Sequence, residues 1–314
     1  MEERKMRSRL SKLGLICLVA ILFSGLFVSC ASELETTTPS ANTITDQYNR
    51  TVTIKANPQR IVSLSPAHTE ILYALGLGDR IVGVSEYSDY PPEATAKPSV
   101  GSYNEPNIET IISMSPDLVL ATEEHEEEVK QLESRGITVV ALNPKTINEV
   151  LDTITVIGKI TGKDNEAADL VESLQGRIDT IAEKTKSLTA EQKPRVFCII
   201  WHDPIWTVGA GTFHDELIRI AGGVNIAGNL NGYVDMSVEA LIAADPQIII
   251  AGVGMGEGED ASLVAMQTED RFRDIDARKT GKIYGANMDI VSRPGPRLAD
   301  ALEVFFNLIH PEIE

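Results

Sequence analysis

From residue 60 onward the chain is punctuated by short apolar runs bounded by polar or turn-forming residues. Arg60-Ile-Val-Ser-Leu64, Ile81-Val-Gly-Val84, Asp117-Leu-Val-Leu-Ala121 and Thr138-Val-Val-Ala-Leu142 have strand length and read as strands. Between them lie helical patterns. Ser65-Pro66 turns into a helix over Thr69–Leu75 that stops at Gly76, Asn107 caps a short helix to Met114, and Glu124–Arg135 is charged and solvated. Strands alternating with helices predict an α/β fold whose mainly parallel sheet is covered on both faces.

The pattern then starts again. Arg195–Ile200 reads as a strand, Pro204-Ile-Trp-Thr-Val-Gly209 leads into a turn, and Phe213–Ala221 forms a helix stopped by Gly222-Gly223. The repeat is visible residue by residue. Glu109-Thr-Ile-Ile-Ser-Met-Ser-Pro-Asp-Leu-Val-Leu-Ala121 recurs as Glu239-Ala-Leu-Ile-Ala-Ala-Asp-Pro-Gln-Ile-Ile-Ile-Ala251, with Tyr103 and Tyr233 six residues before each glutamate. Upstream of each copy, Glu70-Ile-Leu-Tyr-Ala-Leu-Gly76 parallels Glu216-Leu-Ile-Arg-Ile-Ala-Gly222. Two matched elements in the same order predict two similar lobes, and two lobes imply a cleft.

Residues 147–190 separate the lobes. Their apolar positions, among them Val150, Leu151, Ile154, Ile157, Leu170, Leu174, Ile178 and Ile181, fall at helical spacing for about twenty residues after Gly162-Lys163. A long helix holds two lobes at a set separation, where a linker rich in glycine and proline would let them swing.

The N-terminus carries an export signature. Met1–Lys12 holds five Lys/Arg against two Glu, and the sixteen residues Leu13–Val28 are apolar apart from Gly14, Ser24 and Gly25. Such a stretch is short for a membrane span and is preceded by a basic flank, as in a secretory signal. It ends in Phe27-Val28-Ser29-Cys30, similar to a lipoprotein processing site in which Cys30 becomes the lipidated first residue, with Phe27 where leucine is usual. The small polar stretch that follows reads as a tether. The organisation is therefore a signal over 1–29, a lipid-anchored tether over 30–48, a first lobe over 49–146, a helical linker over 147–190 and a second lobe over 191–314.

The net charge of −18 disfavours partnership with nucleic acid or adhesion to anionic lipid. Of the three cysteines, Cys17 lies in the signal and Cys30 at the processing site. Cys198 sits in the apolar run Val196–Ile200 and reads as a core thiol.

Four segments carry a family resemblance over about residues 50–310. They are Arg60-Ile-Val-Ser-Leu-Ser-Pro-Ala-His-Thr-Glu70, Gly83-Val-Ser-Glu-Tyr-Ser-Asp-Tyr-Pro-Pro92, Asn107–Val119 and Ser292-Arg-Pro-Gly-Pro-Arg297. The chain resembles substrate-binding proteins of ABC importers, in the class whose lobes are joined by one long helix and which serves vitamin B12, siderophores and haem. It is most similar to the cobalamin-binding subgroup. The resemblance implies two Rossmann-like lobes with the ligand between them, and a transported corrinoid (cobalamin or another cobamide) rather than a resident cofactor. It implies ligand contacts from Pro66, Tyr87, Tyr90 and Tyr103 on the first lobe and from Trp206, Tyr233 and Arg297 on the second. Tyr103 and Tyr233 stand where cobalamin binders can carry tryptophan. Glu109 and Glu239 would dock on a permease dimer that works with a cytoplasmic ATPase. The protein would reside outside the cytoplasm, at the outer face of the membrane, held by its lipid anchor.

Elementary chemistry supports the same cleft. A macrocycle is broad and amphipathic, and flat aromatics bury its apolar area while polar groups meet its edge. Aromatics form only 5% of the chain, so their placement in turns and strand ends is informative. The ordinary reading of Arg297 is a capping or ion-pairing residue, and that of each glutamate is a favourable charge at a helix N-terminus. Of the five histidines, His125 in Glu123–Glu128 reads as part of a solvated acidic turn, whereas His68 and His202 follow the first strands of their lobes and are candidates to face the cleft. No zinc pattern, nucleophile elbow, P-loop or dinucleotide fingerprint is present, which argues against an enzyme and against a metal receptor. The glycine-rich run Gly252–Asp260 reads as a mobile loop beside the cleft. A ferric-siderophore or haem binder of the same class is the alternative, although its anionic ligand would call for more than Arg297 and Arg293.

Overall fold

In the computed structural model, residues 42–55, 57–254 and 260–313 are described. The signal segment, Cys30 and residues 255–259 of the glycine-rich run lie outside them. The described residues begin inside the expected tether. β1 (Asn42–Thr45) pairs antiparallel with β2 (Thr51–Ile54), because Ile44, Val52 and Ile54 supply a buried face to the short hairpin.

The first lobe contains β3 (Ile61–Ser63), α1 (Pro66–Ala74), β4 (Ile81–Val84), α2 (Ile108–Ser113), β5 (Leu118–Ala121), α3 (Glu126–Ser134) and β6 (Val139–Ala141). Its four strands form a parallel sheet in the order β4-β3-β5-β6. Successive residues of each strand enter cores on opposite faces. Ile61, Leu118 and Leu120 pack on one side, and Val62, Val119 and Ala121 on the other.

The linker is two helices rather than one. α4 (Ile147–Thr161) is capped by the Thr146 hydroxyl, which accepts from the Glu149 N–H. It ends at Gly162, whose φ of 73° is left-handed, a conformation glycine adopts without penalty. The chain reverses and enters α5 (Asp164–Lys186), 23 residues and about 34 Å long. Gly158 permits the close approach of the pair, since a Cβ there would lie 2.4 Å from Cβ of Ala167.

The second lobe comprises β7 (Arg195–His202), β8 (Ile205–Val208), α6 (Phe213–Ile220), β9 (Val224–Asn225), β10 (Tyr233–Asp235), α7 (Val238–Ala244), β11 (Ile248–Val253), α8 (Ala261–Thr268), α9 (Asp276–Thr280), β12 (Ile283–Asn287), α10 (Met288–Val291) and α11 (Leu298–Ile309). Its sheet runs β10-β8-β7-β11-β12, with β9 beside β7. The β7, β11 and β12 pairings are parallel, as expected. The segment expected to be a lead into a turn is instead strand β8, and it and β10 add antiparallel pairs, so this sheet is mixed. One apolar cluster runs from Ile61 and Leu72 through Ile157 and Leu174 to Val196 and Phe305, so α4 and α5 fuse the two lobes into a shared core.

The duplication extends to hydrogen bonds. α2 and α7 are capped by the Asn107 and Ser237 side chains, which accept from Thr110 and Ala240 N–H. Each is followed by a residue in the left-handed region, Ser115 (φ 47°) and Asp245 (φ 42°), and then by a proline. At each helix end an arginine from the start of a strand region donates to the last carbonyls. Arg60 bonds Met114 O and Ser115 O, and Arg195 bonds Ala244 O and Asp245 O. The next side chain, Asp117 or Gln247, accepts the backbone N–H of that same arginine.

Candidate functional site

In open α/β sheets, ligands bind beyond the carboxyl ends of the parallel strands. Those ends here carry Pro66 after β3, Tyr87 and Tyr90 after β4, Thr122–His125 after β5 and Trp201-His202 at the end of β7. Tyr87 and Tyr90 are exposed, and Pro66 is half-buried at the first turn of α1.

The second lobe presents the larger aromatic surface. Trp201 and Trp206 lie directly opposite each other on β7 and β8, and Asp235 of β10 lies opposite Trp206. Cross-strand partners share a face, and Tyr233, two residues before Asp235, shares it too. Trp201, Trp206 and Tyr233 are 50%, 44% and 52% exposed, far above the value for a packed interior ring. Trp201 was not among the residues expected from sequence. The signal for it was its place at the end of a strand, beside the turn that returns to Trp206.

The repeated tyrosines are each seated edge-on against a buried histidine. Tyr103 meets His125 at 5.1 Å between ring centres, and its hydroxyl bonds Thr122 Oγ1 at 3.1 Å. Tyr233 meets His214 at 6.1 Å, with its hydroxyl 3.4 Å from His214 Nδ1. His125 corrects the solvated-turn reading. Its ring is 1% exposed and clamps the chain, Nε2 to Tyr103 O at 2.6 Å and Nδ1 to Thr122 at 3.0 Å, while its acidic neighbours stay in solvent. Burial raises the Tyr103 hydroxyl, and Glu124 raises it further. The ring of Tyr233 is half exposed, but its hydroxyl end is enclosed against His214, and that loss of solvent pushes it up to about 12, with smaller contributions from Cys198 and Glu124. One first-lobe carboxylate therefore acts on the repeated tyrosines of both lobes.

The lobes are also joined by ions. Arg297 Nε and Nη2 grip the two carboxylate oxygens of Glu70 at 2.8 and 2.6 Å, and Nη2 also donates to Asp289 O at 2.7 Å. Arg293 bonds Asp89 and Asp289 and lies 3.5 Å from Glu70. The Arg297 guanidinium stands 4.2 Å over the ring of Tyr90, within cation–π range. Gly295 faces Ala67, so that a Cβ there would rest in ordinary contact 3.4 Å from the Ala67 carbonyl oxygen. Arg297 thus takes the ion-pairing role at the edge of the cleft. Its matched counterpart to Glu70, Glu216, reaches in the reverse direction and accepts the N–H of Ile147 at the start of α4.

His68 is interior, 1% exposed, with Nδ1 unpartnered, and His202 tilts against Trp201 at 5.1 Å between ring centres. Cys198 is the core thiol expected, and burial pushes it up to about 12. Among the described residues no group of three or more His, Cys, Asp or Glu is placed to hold a metal ion. Glu109 and Glu239 are both exposed in the first turns of α2 and α7.

Two α/β lobes fused by long helices, with exposed aromatics at strand ends, are the architecture of a solute-binding protein. The chain belongs to the periplasmic binding protein family, whose model matches residues 61–289. It is 37% identical over 276 residues, 86% of each chain, to the uncharacterized ABC transporter substrate-binding lipoprotein YvrC of Bacillus subtilis. It resembles the solved structure of a possible iron-binding, periplasmic solute-binding protein from Staphylococcus epidermidis (31% identity, TM-score 0.72, 81% of this chain and 99% of that one). It also resembles the periplasmic vitamin B12 binding protein BtuF of Vibrio cholerae (30% identity, TM-score 0.69, 81% and 97%). Haem- and molybdate-binding proteins share the fold at lower identity. Family membership makes this an extracytoplasmic solute-binding protein of an ABC importer and not an enzyme.

Proposed function

We propose that the protein captures a corrinoid, vitamin B12 or a related cobamide, and delivers it to an ABC permease. The observation that carries this reading is the exposed aromatic set Trp201, Trp206 and Tyr233 on one face of the second-lobe sheet, together with arginines already matched by carboxylates. A broad, near-neutral macrocycle edged with amides fits such a surface, because the exposed rings cover its apolar area. Pro66, Tyr87, Tyr90 and Tyr103 complete the first-lobe side, and Arg297 borders it. The kinship with a vitamin B12 binding protein adds support. The test is equilibrium binding of the exported part to cyanocobalamin, cobinamide, haem and a ferric hydroxamate. Submicromolar binding of a corrinoid is expected. Tight binding of haem or the ferric chelate with none of either corrinoid would overturn the reading.

In the same proposal Glu109 and Glu239 dock on the permease dimer, which works with a cytoplasmic ATPase, while Cys30 anchors the chain to the membrane after signal removal. Two exposed carboxylates at the same position of duplicated, capped helices suit a partner with two basic acceptors, where charge orients the encounter. Glu109→Ala with Glu239→Ala should leave ligand affinity unchanged within threefold and reduce uptake at least tenfold. Unchanged association with the transporter in the double variant would show that the carboxylates do something else.

A further inference from the structure

The basic side chains bordering the cleft are outnumbered. Arg293 and Arg297 are both only 13% exposed at the side chain, and they face three carboxylates, Glu70, Asp89 and Asp289. Glu70 is central to this cluster. Its carboxylate is 1% exposed, both of its oxygens are taken by Arg297, and one lies 3.5 Å from Arg293. It comes from the first lobe and the arginines from the second, so the match exists only where the lobes meet. The remaining open side of Arg297 is covered by the face of Tyr90, itself 45% exposed.

We infer that Glu70 is a specificity-determining residue, a charge filter that occupies the cleft's arginines and so excludes anionic ligands. An anion approaching Tyr90 meets a cluster with one surplus negative charge. To reach the Arg297 guanidinium it must displace a bidentate, buried carboxylate, which leaves that carboxylate unpaired, and Arg293 is already held by Asp89 and Asp289. A neutral, amide-edged ligand suffers neither penalty. The inference rests on the cleft reading above, and it adds the chemical basis on which ligands are refused.

Glu70→Gln keeps the shape of the side chain and removes its charge. With one unit of charge removed within several ångströms of the ligand's edge, affinity for haem, a dianion through its two propionates, should rise about tenfold at low salt and the gain should shrink as salt is added. Cyanocobalamin binding should change less than threefold. Glu172→Gln, on the exposed side of α5, controls for net charge and should change nothing. Adding Arg297→Gln to Glu70→Gln should abolish the gain. If the Glu70 variant binds haem no better than wild type, the filter is overturned while corrinoid binding stands. Should that variant fail to fold, wild type decides the matter alone. It should bind cyanocobalamin at least tenfold more tightly than a corrinoid whose amide side chains have been hydrolysed to carboxylates, and equal affinity would overturn the filter. Wild type binding haem tightly and no corrinoid would overturn both proposals.

Discussion

Replacing Trp201 and Trp206 together by alanine is expected to weaken ligand binding by about 100- to 1000-fold with the fold intact. Each ring has roughly half of its surface free in the unliganded protein. Covering on the order of 60–100 Å² of each at ~25 cal/mol/Å² gives about 1.5–2.5 kcal/mol per ring, or roughly ten- to seventyfold in affinity. The two are cross-strand neighbours, so their effects should fall short of full additivity. Neither ring is part of the buried core, and the variants should keep the wild-type thermal transition within a few degrees. Titration of the single and double variants with the ligand found in the binding panel, beside their melting curves, checks this. A double variant that binds within threefold of wild type would remove the aromatic wall from the site.

Stability should fall as the medium is acidified from pH 7.5 to 5, by about 4 kcal/mol in total. His68 and His214 are both interior, and burial lowers each to about 4 from an ordinary 6.5, with the charge of His125 adding to the effect at His68. In this window the unfolded chain takes up protons that the folded chain refuses, so the unfolded state gains. The contribution is fully present above about pH 6.5 and is lost as pH falls towards 4. Linkage gives about 2 kcal/mol for each histidine over this interval. Denaturant unfolding at the two pH values measures it, and His68→Gln and His214→Gln should each remove about half of the slope. A change below 1 kcal/mol in wild type would mean that these rings accept protons in the folded state. Since His214 seats Tyr233, its protonation should also loosen that part of the wall.

The two-lobed plan was legible because its signals are local. Strand-length apolar runs such as Asp117–Ala121, the Asn107 cap and the stop at Gly76 each announce themselves within a few residues. The repeat then paired Glu109 with Glu239 without any need for coordinates. What escaped depends on contacts between distant residues. β8 and β10 are short antiparallel additions whose pairing is set by register, and Trp201 becomes a site residue only when β8 places Trp206 opposite it. His125 looked solvated because four of its near neighbours are glutamates, yet one turn rotates it inward to Tyr103, 22 residues away. The partner of Arg297 is 227 residues distant in sequence, which no spacing rule reveals.

The paired arginine clamps mark where the two lobes stay alike. Arg60 and Arg195 still make the same bonds in both lobes, and the glutamates they steady still match, whereas the cleft walls no longer do: one offers Tyr87 and Tyr90, the other Trp201 and Trp206. The two lobes are alike in the bonds that cap and close their glutamate-bearing helices and unlike in the aromatics at their strand ends, so a partner meeting both helices would see two equivalent surfaces while a ligand between the lobes would see two different ones.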